Sequence, residues 1–256
     1  MSALFRKKDY KYGIALSGGG VRGFAHFGVL QALEEKGIKP DILAGTSAGA
    51  IAGAYIAAGK SPREAFQHIK NRRIIDFVEV RIPKTGLLNL DKLRKSLAEE
   101  IKADDLKDLP LPFYVCVSDI ISGKVEYFNE GPLVKLVQAS ASIPVLFAPV
   151  EINGRLYSDG GLFDNVPVQP LKGKCKKIIA VNVSPINKTE KVKNLIQIAA
   201  RTFHLSVNAT TKGLEDNCDL LIEPSELDKF DILDASKADE IFEVGYEYCK
   251  GLNIEL

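Results

Sequence analysis

Apolar and polar positions change period from block to block along the chain, and each period points to an element. Residues 12–17 (Tyr-Gly-Ile-Ala-Leu-Ser) are an almost unbroken apolar run, the pattern of a buried strand. A helical stripe of Ala25, Val29 and Leu33 follows over about 24–36 and stops at Gly37. Ile42, Leu43 and Ala44 form a second apolar run that ends at Gly45, and after Gly49 an alanine-rich helical run extends to about Gly59. Ser61-Pro62-Arg63-Glu64 is composed as a helix start, with Ser as N-cap, Pro at the first position and Glu closing a capping box. That helix is expected to reach about Arg73, and Asp91 to cap a further amphipathic helix to about Ile101. Between them, residues 74–90 mix apolar and basic positions around Pro83 and Gly86, which fits a cap over a site, a membrane-touching segment or a plain connector.

In the second half, strands are expected at 113–117 and 124–128, and a helix at 132–141 that ends before Pro144. Asn153-Gly154, set between Val150-Glu-Ile152 and Arg155-Leu-Tyr157, signals a type I′ hairpin. An apolar strand at 177–183, a long amphipathic helix at about 190–212, a strand at 219–223 and a helix from about Ser236 to Lys250 complete the order. Strands alternate with helices and no repeat or linker interrupts them. The expectation is an α/β fold, a three-layer α/β/α arrangement with a central, mostly parallel sheet, in one domain spanning 1–256.

Composition narrows the class. Of the 256 residues 46% are hydrophobic and 26% charged, as in ordinary globular chains, and the formal net charge of +1 argues against a nucleic-acid binder. The balance is uneven: residues 1–100 carry 17 Lys and Arg against 10 Asp and Glu, and the remainder reverses it with 17 against 23. A basic N-terminal half could lean on an anionic membrane surface, and solvated helix faces explain it as well. Cys116, Cys175, Cys218 and Cys249 include no C-x-x-C pair, and no signal peptide or apolar stretch of about twenty residues is evident, so the expected setting is cytoplasmic, with a peripheral inner-membrane contact as its extension.

The candidate chemistry centres on Gly45-Thr46-Ser47-Ala48-Gly49, a G-x-S-x-G nucleophile elbow set between an apolar strand and a helix. Glycines two residues to either side of the serine let strand and helix approach around a strained turn, and the helix N-terminus favours developing negative charge. Upstream, Gly18-Gly19-Gly20-Val21-Arg22-Gly23 joins a strand to a helix, a layout that converges backbone N–H groups on an anion. For a phosphate, the Walker pattern fails because Phe24 and Ala25 follow the loop. The dinucleotide fingerprint fits Gly18, Gly20 and Gly23, but its acidic partner about twenty residues on finds only Asp41, at the start of the next strand. With an elbow on the very next strand, the oxyanion of an acyl intermediate is the stronger reading, held by Gly19 and Gly20 N–H groups; a plain tight turn is the third.

A serine nucleophile needs a base. His26, His68 and His204 are the three histidines; His204 would fit the serine–acid–histidine order, yet none has a loop context over Ser47. Asp159, at the hairpin exit before Gly160-Gly161, reads either as an exposed carboxylate or as a turn-forming Asp-Gly. As a base it would need partial burial.

Gly18-Gly-Gly-Val-Arg22-Gly23, Gly45-Thr-Ser47-Ala-Gly49 and Asp159-Gly160-Gly161, in this order, resemble the patatin-like phospholipase family, and Ala139-Ser-Ala-Ser-Ile-Pro144 and Asp164-Asn-Val-Pro-Val168 extend the resemblance over at least residues 12–168. The resemblance implies the patatin-like variant of the α/β-hydrolase theme and a serine–aspartate dyad without a catalytic histidine. It implies that Ser47 attacks the ester carbonyl, that Asp159 activates Ser47, and that the Gly18, Gly19, Gly20 loop holds the oxyanion. It further implies that Arg22 and Gly23 support the loop, with Arg22 also able to face a lipid phosphate, and that Gly45 and Gly49 shape the elbow. The implied substrate is a lipid or acyl ester, with no metal and no cofactor. The alternative is a non-catalytic lipid-binding or regulatory protein on the same fold.

Overall fold

The computed structural model describes residues 10–70, 79–80, 88–186, 192, 194–232 and 234–256. Its centre is a sheet in the order β10-β9-β1-β2-β5-β8-β7, with β6 on the other edge of β5. Here β1 is Tyr10–Leu16, β2 Ile42–Thr46, β5 Phe113–Asp119, β6 Lys124–Phe128, β7 Val150–Ile152, β8 Arg155–Asp159, β9 Cys175–Val181 and β10 Leu220–Ile222. The run from β10 to β5 is parallel, as the apolar runs predict, whereas β6, β7 and β8 join antiparallel, so the sheet is mixed. The difference comes from the hairpins: a short turn can only reverse the chain. Asn153 (φ 52°) and Gly154 (φ 76°) make the expected left-handed turn.

Alternation along the central strands feeds two cores. Ile14, Leu16, Leu43, Ile179 and Val181 face the larger one, with α1 (Phe24–Glu35), α2 (Ala48–Ala57), α3 (Pro62–Lys70), α4 (Asp91–Glu100), α5 (Leu133–Ser140) and α7 (Ala238–Gly251) contributing to it. Ala15, Ile42, Ala44, Ile178 and Ala180 face the smaller one, closed by Val166, Val168, Leu171 and Leu214. Ile14 and Leu16 are fully buried, each contributing about 1.5–3 kcal/mol of transfer free energy.

Local signals set the helix ends. The capping box forms: Ser61 N–H donates to Glu64 Oε2 (3.0 Å) and Glu64 N–H to Ser61 Oγ (3.3 Å). At α4, Leu90 stands at the N-cap and Asp91 is the first helical residue; acidic residues are favoured at both positions, so the sequence does not separate them. The long helix α6 (Leu195–Ala209) begins later than expected, where Asn194 Oδ1 accepts from Gln197 N–H at 2.9 Å. Glu79–Val80 (β3) pairs antiparallel with Leu88–Asn89 (β4). The rest of the 74–90 stretch read as cap, membrane contact or connector lies outside the described residues, apart from Leu90. No helix among the described residues is long and apolar enough to cross a membrane.

One detail of register positions the site. Strand β2 pairs with β5 up to Thr46 opposite Cys116, and β8 takes over the next position, Asp159 opposite Val117. Both strands lie on the same edge of β5, because β6 occupies the other edge at Val115 and Val117 alike. The parallel strand and the antiparallel strand therefore meet head to head, and their last residues bring Ser47 and Asp159 to one point.

Candidate active site

Ser47 sits between β2 and α2 at φ 53°, ψ −118°, a conformation that costs a non-glycine residue on the order of 1–3 kcal/mol. The surroundings hold it there. Ser47 N–H donates to Ser140 Oγ (2.9 Å), which in turn donates to Cys116 O (2.6 Å). Gly49 N–H donates to Ser17 O at 3.0 Å. Gly45 and Gly49 are required by space: a Cβ at Gly45 would lie 2.4 Å from Gly49 O, and one at Gly49 would lie 2.2 Å from Leu16 O.

Asp159 ends β8 and is fully buried. Its Oδ1 accepts from Gly161 N–H (2.9 Å), its N–H donates to Ser142 O (3.0 Å), and Ser158 Oγ donates to the same carbonyl (2.5 Å). The end of α5 and the residues just after it thus grip both strand ends, Ser140 holding the elbow and Ser142 the acid. Burial pushes the Asp159 carboxyl up to about 7, against the Ser47 hydroxyl and the Gly161 N–H, which favour the ionised form. Ser47 and Asp159 make no close, aligned hydrogen bond, and Asp159 Oδ2 has no partner among the described residues. Such contacts are commonly loose in substrate-free sites and tighten on binding.

The glycine loop lies alongside. Gly18 N–H is already donated to Asn165, at 3.2 Å to the carbonyl and 3.1 Å to Oδ1, which corrects its expected role as an oxyanion donor. Gly19 and Gly20 N–H groups, and that of Ala48 at the start of α2, donate to no other described group. Gly20 has φ +59° and Gly23 packs where a Cβ would meet Ala48 Cβ at 2.5 Å, so the loop lies directly on the elbow.

Arg22, expected to support the loop, has no free fork for a lipid phosphate. Its buried guanidinium donates to Pro185 O (2.7 Å), Asp228 O (3.1 Å) and Phe230 O (2.9 Å from Nε and 2.7 Å from Nη2), which occupies the fork with backbone carbonyls. Burial lowers its pKa to about 10, partly offset by Asp228 and Asp231.

Two cavities flank Ser47. The larger is an apolar cleft with about 960 Å³ of empty space, its open mouth included, lined by residues such as Val21, Phe24, Phe27, Ile51, Tyr55, Leu93, Ile143 and Phe147. The smaller lies between the glycine loop and α6 and is lined by Asp159, Asn165, Ser184, Phe203, His204 and Val207 among others. His204 is therefore nearer the serine than its helical context suggested. It bonds Ser184 O (3.3 Å) rather than Ser47 or Asp159, and burial, then Arg22, push its pKa down to about 4. His26 bonds Ser17 O (2.8 Å), is fully buried and is likewise lowered to about 4 by burial. Both are weak bases at neutral pH. Sequence reasoning gave no individual role to Ser140, Ser142 and Asn165, although each falls within a motif that carried the resemblance, and it did not single out the Ala48 N–H.

An α/β protein with a mixed sheet and a serine at a strained strand–helix elbow is the class that this geometry defines. The chain belongs to the patatin-like phospholipase family, whose model matches residues 14–172. An uncharacterized NTE family protein of Mycobacterium tuberculosis is 36% identical over 164 residues, covering 62% of this chain and 45% of that protein. Human patatin-like phospholipase domain-containing protein 6 is 26% identical over 93% of this chain and 20% of its own length, and lysophospholipase NTE1 of Candida glabrata is 28% identical over 93% and 16%. The chain thus spans under half the length of these relatives. Among solved structures, VipD from Legionella pneumophila shares the fold, with a TM-score of 0.53 at 16% identity over 94% of this chain and 66% of VipD.

Proposed function

We propose that the chain is a serine lipid acyl hydrolase that cleaves acyl esters of phospholipids or lysophospholipids through a Ser47–Asp159 dyad. The observation that carries this reading is the place of Ser47, on an apolar cleft to one side and beside a buried carboxylate on the other. The acyl chain lies in the cleft. The Asp159 carboxylate takes the proton of Ser47, and Oγ attacks the ester carbonyl carbon. The oxyanion is met by Gly19, Gly20 and Ala48 N–H groups and by the positive end of α2. Collapse breaks the ester C–O bond, Asp159 returns the proton to the leaving alcohol, and water then releases the acyl group from Ser47. A pKa near 7 suits a carboxylate to this work at neutral pH, which an ordinary exposed aspartate is too acidic to do. The lysophospholipase name of one relative favours lysophospholipids for the first trials.

The test is a lipid-class panel with fluorophosphonate labelling of wild type, Ser47→Ala, Asp159→Asn and His204→Ala. Ser47→Ala loses labelling, both dyad variants lose roughly 10²–10⁴-fold in turnover, and His204→Ala keeps most of it. Equal turnover in wild type and Ser47→Ala would sink the proposal. Loss in His204→Ala with retention in Asp159→Asn would replace it by a conventional triad, and tight lipid retention without turnover would favour a binding protein.

A further inference from the structure

The small cavity beside Ser47 leaves about 20 Å³ within which the centre of a water molecule can move. That is enough room to hold a water. Two of the polar side chains in its wall are buried with one atom unpartnered: Asp159 Oδ2, an acceptor when ionised, and Asn165 Nδ2, a donor. The Asn165 amide is oriented by its other end, where Oδ1 accepts from Gly18 N–H at 3.1 Å. A donor and an acceptor in the wall of one water-sized space are the partners a bound water needs. The cavity shares Gly20, Ser47, Ile143 and Ile232 with the apolar cleft, so acyl chain and water would approach the serine from separate sides.

We propose that this cavity holds the hydrolytic water and that Asn165 is its positioning residue. This rests on the Ser47–Asp159 reading and assigns its second half. Asn165 Nδ2–H donates to the water oxygen, and the water donates one hydrogen to Asp159 Oδ2. Once Ser47 is acylated, the water oxygen bonds to the acyl carbon while its proton passes to Asp159. The tetrahedral intermediate then expels Ser47 Oγ, which recovers that proton, and the fatty acid leaves. The confined space, with Asp159 and Asn165 in its wall, suits water better than a bulky alcohol, so the site favours hydrolysis over acyl transfer.

The experiment measures the partition of the acyl-enzyme between water and added methanol, as free acid against methyl ester, on a short p-nitrophenyl ester. It compares wild type, Asn165→Ala and Val207→Ile. Wild type yields mainly free acid. Asn165→Ala opens the cavity and removes the donor, and the ester-to-acid ratio rises about ten-fold, the weight of one oriented hydrogen bond. Val207→Ile fills the cavity without touching a polar group, and acyl-enzyme accumulates as deacylation slows by a similar factor. If Asn165 only props up the Gly18 loop, acylation slows and the partition ratio stays at the wild-type value, which overturns the inference. Should Asn165→Ala fail to fold, unchanged deacylation in Val207→Ile overturns it equally. Absence of any Ser47-linked acyl-enzyme in wild type would instead remove the dyad reading, and this inference with it.

Discussion

If Asp159 is a buried base, replacing it should make the protein more stable while destroying its activity. Burial lifts the carboxyl from 3.8 to about 7. The folded state therefore keeps a proton that the unfolded chain has lost between about pH 4 and pH 7. Stability from this group is full below the unfolded value and falls as pH rises through that window. Three units at 1.36 kcal/mol each put the cost of the ionised, buried carboxylate on the order of 4 kcal/mol at about pH 8. Asp159→Asn has the same shape, stays neutral, and keeps an oxygen for the Gly161 N–H. Its advantage over wild type should be small below about pH 4, reach about 1.6 kcal/mol at about pH 5 and approach the full figure at about pH 8. Urea unfolding of both proteins across the range measures it. Asp164, raised to about 6 by burial, and the two lowered histidines titrate in both proteins, so the difference isolates Asp159. A variant that is less stable at high pH, or whose advantage does not grow with pH, refutes the reasoning.

The same ionisation governs rate: kcat/KM should rise with pH to a plateau above about 7, with about a tenth of the plateau one unit below the midpoint, and a profile flat from about pH 5.5 to pH 8 would contradict it. Arg22→Lys, whose single nitrogen cannot reproduce the spread of Nε, Nη1 and Nη2 over three carbonyls, should lower stability by about 3 kcal/mol in thermal or urea melts and slow acylation through the loop. Each methylene added to an ester that still fits the apolar cleft should raise kcat/KM about four-fold. Ile51→Phe should bring the plateau at a shorter chain, read from a series of acyl esters.

Much of this arrangement is legible in the sequence because its signals are local. The elbow reads from two glycines whose absent Cβ atoms are what let Gly45 meet Gly49 and Gly49 meet Leu16. The hairpin reads from Asn153-Gly154, and the third helix from a capping box that forms as written. What is not legible depends on register. Nothing near Asp159 in sequence says that β8 continues the edge of β5 that β2 leaves, so an exposed turn-forming Asp-Gly and a buried carboxylate look alike until the strands are paired. The same long-range pairing explains why Arg22 spends its fork on carbonyls from residues 185–230, and why Gly18 is lost as a donor to Asn165. On the proposed dyad, it also accounts for a site that works without histidine. A base of ordinary aspartate acidity would need a histidine to bridge it to the serine. Here the head-to-head strands place the carboxylate in the core, and burial lifts its pKa to about 7 against the Ser47 hydroxyl and the Gly161 N–H. The Asp159-Gly160-Gly161 motif marks the proposed base, but the burial that would make it basic comes from the pairing of β2 and β8 along one edge of β5, which no local motif encodes.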